Sequence, residues 1–266
     1  MNPFLRAIDS SAAAFNGLSV WKGQCRVWQQ SMVSPTFERW LYLRMHQLSF
    51  MGRDERNFLE KHVRPGMRLL DIGANLGLYS VLMARLAGPT GRVIAFEPDP
   101  ELFAALQQNA RLNEIRIDGH NLALGAAPGE LTLHKSIINS GDNHLGALET
   151  PLFRRAVATK VVRLDDLLPQ LAVDLIKIDV QGWELEVLRG MGATLAANPS
   201  VQVYFEFCPN GYARAGSSYG ELIAFLRTAG LRIFETNDGV ELNDAGIKRL
   251  AASFGRNGYA NLLAAR

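Results

Sequence analysis

Two acids and the glycines between them carry the first chemical signal in this chain. Asp71 falls in an apolar run, Leu69-Leu70-Asp71-Ile72, which is followed by Gly73 and Gly77. Glu97 closes a second run, Arg92-Val93-Ile94-Ala95-Phe96, 20 residues past Gly77. Dinucleotide-binding turns use Gly-x-Gly-x-x-Gly, so that backbone N–H groups reach a pyrophosphate at a helix N-terminus. Here the pattern is Asp-x-Gly-x-x-x-Gly, with an acid where a phosphate would approach. An acid repels phosphate and suits a cation. S-adenosylmethionine has a sulfonium and an ammonium and no phosphate, so it fits this turn. A carboxylate at the place of Glu97 is set to grip two ribose hydroxyls. Either acid alone is equally well a cap or a surface-turn residue. Both together, at two strand ends with this spacing, favour the cofactor.

The elements that position these residues follow from periodicity. Arg68 to Ile72 reads as a buried strand, and Tyr79, Leu82, Met83 and Leu86 recur at helical spacing directly after it. Gly73 permits a tight turn between them. From Val63 onward strands and helices alternate, which predicts a parallel sheet covered by helices on both faces. Asp99 can cap a helix that begins at Pro100. Further strands are expected near 115–124, at Val161–Leu164, Val173–Val180, Val201–Phe207, Leu231–Glu235 and Tyr259–Ala264. Leu131-Thr132-Leu133 alternates like an added strand. The stretch 136–150 has no periodicity and collects Ser, Asn, Gly, Asp and His, so it reads as a loop. Ser218-Tyr219-Gly220-Glu221 matches a capping box.

Residues 1–62 differ from the rest. They contain Trp21, Trp28 and Trp40, show little strand pattern, and from Pro35 to Leu59 place apolar residues at helical spacing. They read as a helical N-terminal extension packed on a main domain of residues 63–266. Its apolar residues could cover a substrate or form a homodimer contact; plain packing is the simpler account. Residues 1–68 hold ten Lys and Arg against five Asp and Glu, which reads as a solvated helical face. The whole chain has a net charge of +2, which argues against a dedicated nucleic-acid binder. No run reaches the ~18 apolar residues of a membrane span, and no early stretch has the pattern of a signal peptide. Cys25 and Cys208 form neither a disulfide framework nor a metal cluster, which fits a cytoplasmic protein.

Four blocks in order carry a family resemblance. They are Leu70-Asp71-Ile72-Gly73-Ala74-Asn75-Leu76-Gly77, Ala95-Phe96-Glu97-Pro98-Asp99-Pro100, Asn121-Leu122-Ala123-Leu124-Gly125, and Asp174-Leu175-Ile176-Lys177-Ile178-Asp179-Val180-Gln181-Gly182-Trp183-Glu184. With them, the chain from about Val63 to Ala264 resembles the FkbM family of S-adenosylmethionine-dependent methyltransferases. The resemblance implies a class I methyltransferase fold, a Rossmann-like seven-stranded sheet that is mostly parallel with one strand reversed near the end. It implies methyl transfer to a hydroxyl of a sugar, polyketide or other natural-product small molecule. The residues it puts at the cofactor are Asp71, Gly73, Asn75, Gly77, Glu97, Pro98, Asn121 and Ala123. The family usually reads Asp-Val-Glu-Gly where this chain has Asp179-Val180-Gln181-Gly182. Glutamine keeps an acceptor, adds donors and loses the charge.

A hydroxyl acceptor needs positioning at near-attack distance and a base for its proton. Candidate bases lie at strand carboxyl ends or in the loops above them. Asp179 is the first candidate, against a capping role for the following helix. His144 lies in the polar loop and suits proton transfer near neutrality, against a plain solvated histidine. Glu206 ends the next strand; with Asp179 it offers two carboxylates, too few for a metal site. Lys177 sits among apolar residues and reads as a buried, paired lysine. A protein that binds S-adenosylmethionine without catalysis, or one that methylates an amine or RNA, would keep the same cofactor turn.

Overall fold

Backbone hydrogen bonding groups the strands of the computed structural model into one large sheet, one small sheet and one hairpin. The structure describes residues 23–136, 144–145, 153–255 and 258–266. The hairpin comes first, as β1 (Gly23–Val27) and β2 (Gln30–Ser34), ahead of helices α1 (Phe37–Gln47) and α2 (Arg53–His62). The helices fall where helical spacing was expected, between Pro35 and His62, but the hairpin ahead of them was not expected. The turn is Trp28-Gln29, both at left-handed φ, 48° and 68°. Such two-residue turns favour Asn-Gly or Asp-Gly, so the sequence has no turn signal there. The hairpin is fastened by two asparagines one helical turn apart. Asn109 Oδ1 accepts from Val33 N at 2.7 Å, and Asn113 Oδ1 accepts from Ser31 N at 2.9 Å.

The main domain runs β3 (Arg68–Ile72), α3 (Leu78–Ala87), β4 (Arg92–Phe96), α4 (Pro100–Leu112), β5 (Asp118–His120), β6 (Ala123–Leu124), β7 (Gly129–Ser136), β8 (His144–Leu145) and β9 (Phe153–Val162). It continues α5 (Leu164–Leu167), β10 (Leu175–Ile178), α6 (Glu184–Arg189), α7 (Gly192–Ala197), β11 (Gln202–Phe207), α8 (Pro209–Arg214), α9 (Tyr219–Thr228), β12 (Arg232–Glu235), α10 (Asp244–Ser253) and β13 (Ala260–Ala265). The large sheet has seven strands in the order β12-β13-β11-β10-β3-β4-β5. Strand β13 is antiparallel to both its neighbours; the pairs from β11 to β5 are parallel. This is the class I methyltransferase sheet, with its reversed strand last in the chain.

Each central strand is buried on both faces, as parallel strands between helices must be. One face sets Leu70, Ile72, Ile176 and Phe205 against Leu185, Leu188 and Leu226. The other sets Leu69, Val93 and Leu175 against Phe58 of α2 and Tyr79 of α3. The second face also holds a polar row, because the register pairs Lys177 with both Asp71 and Tyr204. Helix starts match their sequence signals. Asp99 accepts from Glu101 N with Pro100 in the first turn, and Ser218 with Glu221 forms the full capping box, each cap contributing about 1 kcal/mol.

The small sheet, ordered β6-β9-β7-β8, meets the main domain where Ala123, Leu133 and Val161 pack with Trp183. It replaces part of the expected loop, since His144 and Leu145 pair with His134 and Leu133. The side chain of His144 lies outside the described residues, as do positions 137–143 and 146–152. Among the described residues no helix is long and apolar enough to cross a membrane.

Candidate active site

Strands β3 and β10 are adjacent, yet the chain leaves them in opposite directions across the sheet. A crevice opens at the carboxyl ends of strands at such a point. Here a cavity opens at that point. Its walls come from Gly73 to Leu76 after β3, Glu97 and Pro98 after β4, Ala123 of β6, Asp179 to Gln181 after β10, and Tyr42 of α1.

One end of the cavity is organised by Glu97. Its carboxylate is 5% exposed and accepts Asn75 N and Asp99 N, both at 2.8 Å. Each oxygen keeps a second lone pair for a further donor. Burial, with the charge of Asp99 adding, pushes this carboxyl up to about 7, against the pull of the two N–H groups. Gly73 has φ +81°, and a Cβ there would stand 1.9 Å from the carbonyl oxygen of Asp179. A glycine is therefore required where the loops after β3 and β10 touch. Of the residues expected at the cofactor, Gly73, Asn75, Glu97, Pro98 and Ala123 line the cavity. Asp71, Gly77 and Asn121 stand behind its wall. Asn121 Nδ2 donates to the carbonyls of Glu97 and Pro98 at 2.8 and 3.0 Å. Asp71 is fully buried, accepts from Ser80 Oγ at 2.5 Å and lies 3.6 Å from Lys177 Nζ. The cation matched to this acid is thus an internal lysine.

The other end is organised by Lys177, which is 2% exposed. Its Nζ sits between Asp71 and Asp179, at 3.6 and 3.5 Å, and 5.0 Å from the centre of the Tyr79 ring. Burial disfavours its charge, but Asp179, Asp71 and Glu55 outweigh burial and hold it as an ammonium. Asp179 keeps 38% of its side chain exposed. Gln181 bridges it to a second acid, with Nε2 donating to Asp179 Oδ1 at 2.9 Å and to Glu206 Oε2 at 3.1 Å. Burial, then the charges of Asp179 and Glu184, raises Glu206 well above the ordinary carboxylate range. Gln181 has φ 56°, and the Gly182 that follows has no room for a Cβ, which would fall 2.3 Å from the Gly211 carbonyl oxygen. Glu184 braces this turn by accepting Val180 N at 3.1 Å, and burial pushes its carboxyl up to about 7. Among the described residues no group of His, Cys, Asp and Glu is arranged to hold a metal ion.

The sequence offered the N-terminal extension as a possible cover for a substrate but singled out none of its residues for the site. Tyr42 lines the cavity, and Arg39 ties α1 to the Glu97 end through Asp99 at 3.7 Å. A phenol beside an apolar helical stripe was the sole signal. Trp183, in the last of the four blocks, also lines the cavity.

The family described as the Methyltransferase FkbM domain matches residues 71–233. The chain belongs to that family. The chain is 29% identical over 224 residues to the 31-O-demethyl-FK506 methyltransferase FkbM of Streptomyces tacrolimicus, covering 71% of this chain and 83% of that protein. It is 29% identical over 144 residues to Methyltransferase 1 of Beauveria bassiana, covering 46% of this chain and 57% of that protein. It thus spans little more than half the length of the Beauveria relative. Among solved structures, a TehB-like methyltransferase from Corynebacterium glutamicum aligns over 88% of this chain and all of its own, at TM-score 0.46 and 14% identity. The cofactor of this methyltransferase family is S-adenosylmethionine, and the residues present fit it. Glu97 has free lone pairs for ribose hydroxyls, and the glycine-tight wall leaves an open crevice at the switch point.

Proposed function

We propose that this protein transfers the methyl group of S-adenosylmethionine to a hydroxyl of a small natural-product molecule. The observation that carries the reading is Asp179, a half-open carboxylate held in the same cavity as Glu97. Bound S-adenosylmethionine supplies an electrophilic methyl. Glu97 would hold its ribose, with Asn75, Gly73, Pro98 and Ala123 shaping the wall. Asp71, Gly77 and Asn121 act from behind by fixing strand ends and the helix start. Asp179 takes the hydroxyl proton, oriented by Lys177 on one oxygen and Gln181 on the other. His144 is a second proposed participant; its backbone lies in β8, paired with His134. The name of the Streptomyces relative, a 31-O-demethyl-FK506 methyltransferase, supports oxygen as the acceptor atom.

The reaction is proposed to run without a metal, on two bridged carboxylates, and in the cytoplasm, in keeping with the free Cys25 and Cys208. A small molecule is preferred over nucleic acid because the chain has a net charge of only +2. If the chain pairs with itself, Leu48 and Phe50 are large exposed apolar residues among the described residues of the extension, and sedimentation velocity decides. The test of the main reading is calorimetric titration with S-adenosylmethionine, followed by single-turnover methyl transfer across a hydroxyl panel with and without chelator. Donor binding with transfer that survives chelation supports it. Absence of donor binding sinks it.

A further inference from the structure

Among the described residues four aromatic rings line the cavity, those of Tyr42, Tyr79, Phe96 and Trp183. Three of them are engaged elsewhere. Tyr79 is buried and has the Lys177 ammonium 5.0 Å from its ring centre. Phe96 is buried and stacks on the His120 ring at 4.8 Å. Trp183 packs with Ala123, Leu133 and Val161, where the small sheet meets the main domain. Tyr42 differs from these. It is half-buried, and among the described residues its ring meets one other, His46, at 4.3 Å between centres.

Helix α1 carries this ring across the cavity. Arg39, Tyr42 and His46 are spaced i, i+3, i+7 and so share one helix face, over about 10 Å of its axis. Arg39 lies 3.7 Å from the carboxylate of Asp99, whose own N–H holds Glu97. His46 Nε2 lies 3.4 Å from the Tyr79 hydroxyl, and the Tyr79 ring underlies Lys177, the neighbour of Asp179. His46 Nδ1 is 2.9 Å from the Tyr42 carbonyl; a carbonyl only accepts, so this nitrogen donates. The helix is therefore tied at both ends of the cavity, with Tyr42 between the ties. Tyr42 also packs on the apolar cluster that contains Leu76 and Leu78. These two flank Gly77 and line the cavity. The ring thus borders the β3–α3 turn, between the Glu97 end and the Asp179 end.

We propose that Tyr42 is a donor-binding residue whose ring packs against the sulfonium of S-adenosylmethionine. An aromatic face attracts a cation through its quadrupole, without a proton or a lone pair. If Glu97 holds the ribose and Asp179 takes the hydroxyl proton, the sulfur lies between them, which is where α1 carries Tyr42. In the transfer the methyl bonds to the acceptor oxygen and the S–C electron pair stays on sulfur. The sulfonium becomes a neutral thioether. The ring therefore holds the charged donor and not the spent product, and it favours exchange of one for the other. The phenol oxygen has no part in this attraction, so phenylalanine should serve as well. The inference rests on the methyl-transfer reading and adds a residue of the N-terminal extension to the donor site.

The experiment titrates the full chain calorimetrically with S-adenosylmethionine and with S-adenosylhomocysteine, the charged donor and its neutral product. Tyr42→Leu and Tyr42→Met should each weaken S-adenosylmethionine by roughly 5- to 30-fold, the scale of a partly desolvated cation–π contact. S-adenosylhomocysteine affinity should stay within about twofold in both variants, because a neutral sulfur gains little from the ring. Tyr42→Phe should match the wild type for both ligands. Plain packing would make the loss equal for donor and product, and that result overturns the proposal. So does unchanged donor affinity in Leu and Met, or a Phe variant that behaves like Leu. If neither non-aromatic variant folds, as read by thermal unfolding, the ring is a structural residue and the proposal falls as well. A wild type that binds neither ligand would instead sink the methyl-transfer reading. A wild type that binds both, with the donor preference unmoved in the variants, sinks the Tyr42 assignment alone.

Discussion

The two ends of the cavity are built by different means. At the proposed donor end a single acid, Glu97, is held by backbone N–H groups from Asn75 and Asp99, all between the end of β3 and the start of α4. At the proposed acceptor end the acid that lines the cavity, Asp179, is held by side chains. Gln181 ties it to Glu206 of β11, and Lys177 of β10 flanks its other oxygen. The donor end is local and rigid by backbone geometry. The acceptor end depends on tertiary packing, and specificity is therefore open to change there without disturbing the cofactor turn.

The sharpest way to break this division is Asp179→Asn. The swap is nearly isosteric and keeps Gly73 against the 179 carbonyl. If Asp179 serves only the acceptor end, turnover should fall by about 10²–10⁴-fold, the contribution of a general base, with donor affinity unchanged. Single-turnover methyl transfer with parallel calorimetry reads both. A matching loss of donor affinity would merge the two ends into one.

Asp71 and Glu97 sharpen the contrast, because the sequence presents them as a pair and the structure separates them. Asp71→Ala strips a partner from the fully buried Lys177 and leaves Ser80 unbonded. Removing one member of a buried ion pair costs about 3–5 kcal/mol, so this variant should lose stability on that scale in chemical denaturation. Glu97→Ala should instead weaken S-adenosylmethionine by about 1.5–3 kcal/mol, the range for hydrogen bonds to a charged group, with a smaller change in the unfolding midpoint. The opposite pattern would place Asp71 in the cavity and Glu97 in the frame.

How much of this was legible beforehand follows the same line. The β3–α3 turn, Glu97 and the Asp99 and Ser218 caps could be read because each signal lies within a short stretch of chain. Asp71 was legible as an acid but not in its partner, since Lys177 is brought opposite it only by the register of β3 and β10. Tyr42 reaches the cavity from α1 and shares no spacing with the motifs that line it. The β1–β2 hairpin was hidden by a turn without glycine or asparagine. Strand β9 was read only at its apolar end, Val161-Val162, because Ala156, Ala158 and Lys160 face outward and leave little hydrophobic signal.

The smallest expected effect is on pH, and it tests the donor end alone. Burial holds the Glu97 carboxyl at about 7 in the free protein. Ribose hydroxyls donate to the charged form, so binding favours the deprotonated state. S-adenosylmethionine affinity should then be flat above pH 7 and fall as pH drops through 7, approaching roughly tenfold per unit for a single linked proton. Glu184 is held at about 7 as well, and it could produce the same step by loosening the turn at Val180. The variants separate the two. Glu97→Gln should bind the donor weakly at every pH and show no step. Glu184→Gln should keep both the affinity and the step, because its carboxylate braces the acceptor end. Isothermal titration from pH 5.5 to 8.5, a window chosen to span roughly 1.5 units on either side of that value, reads both. A step that vanishes with Glu184→Gln and survives Glu97→Gln would mean that the two ends are coupled through the 180–182 turn rather than built apart.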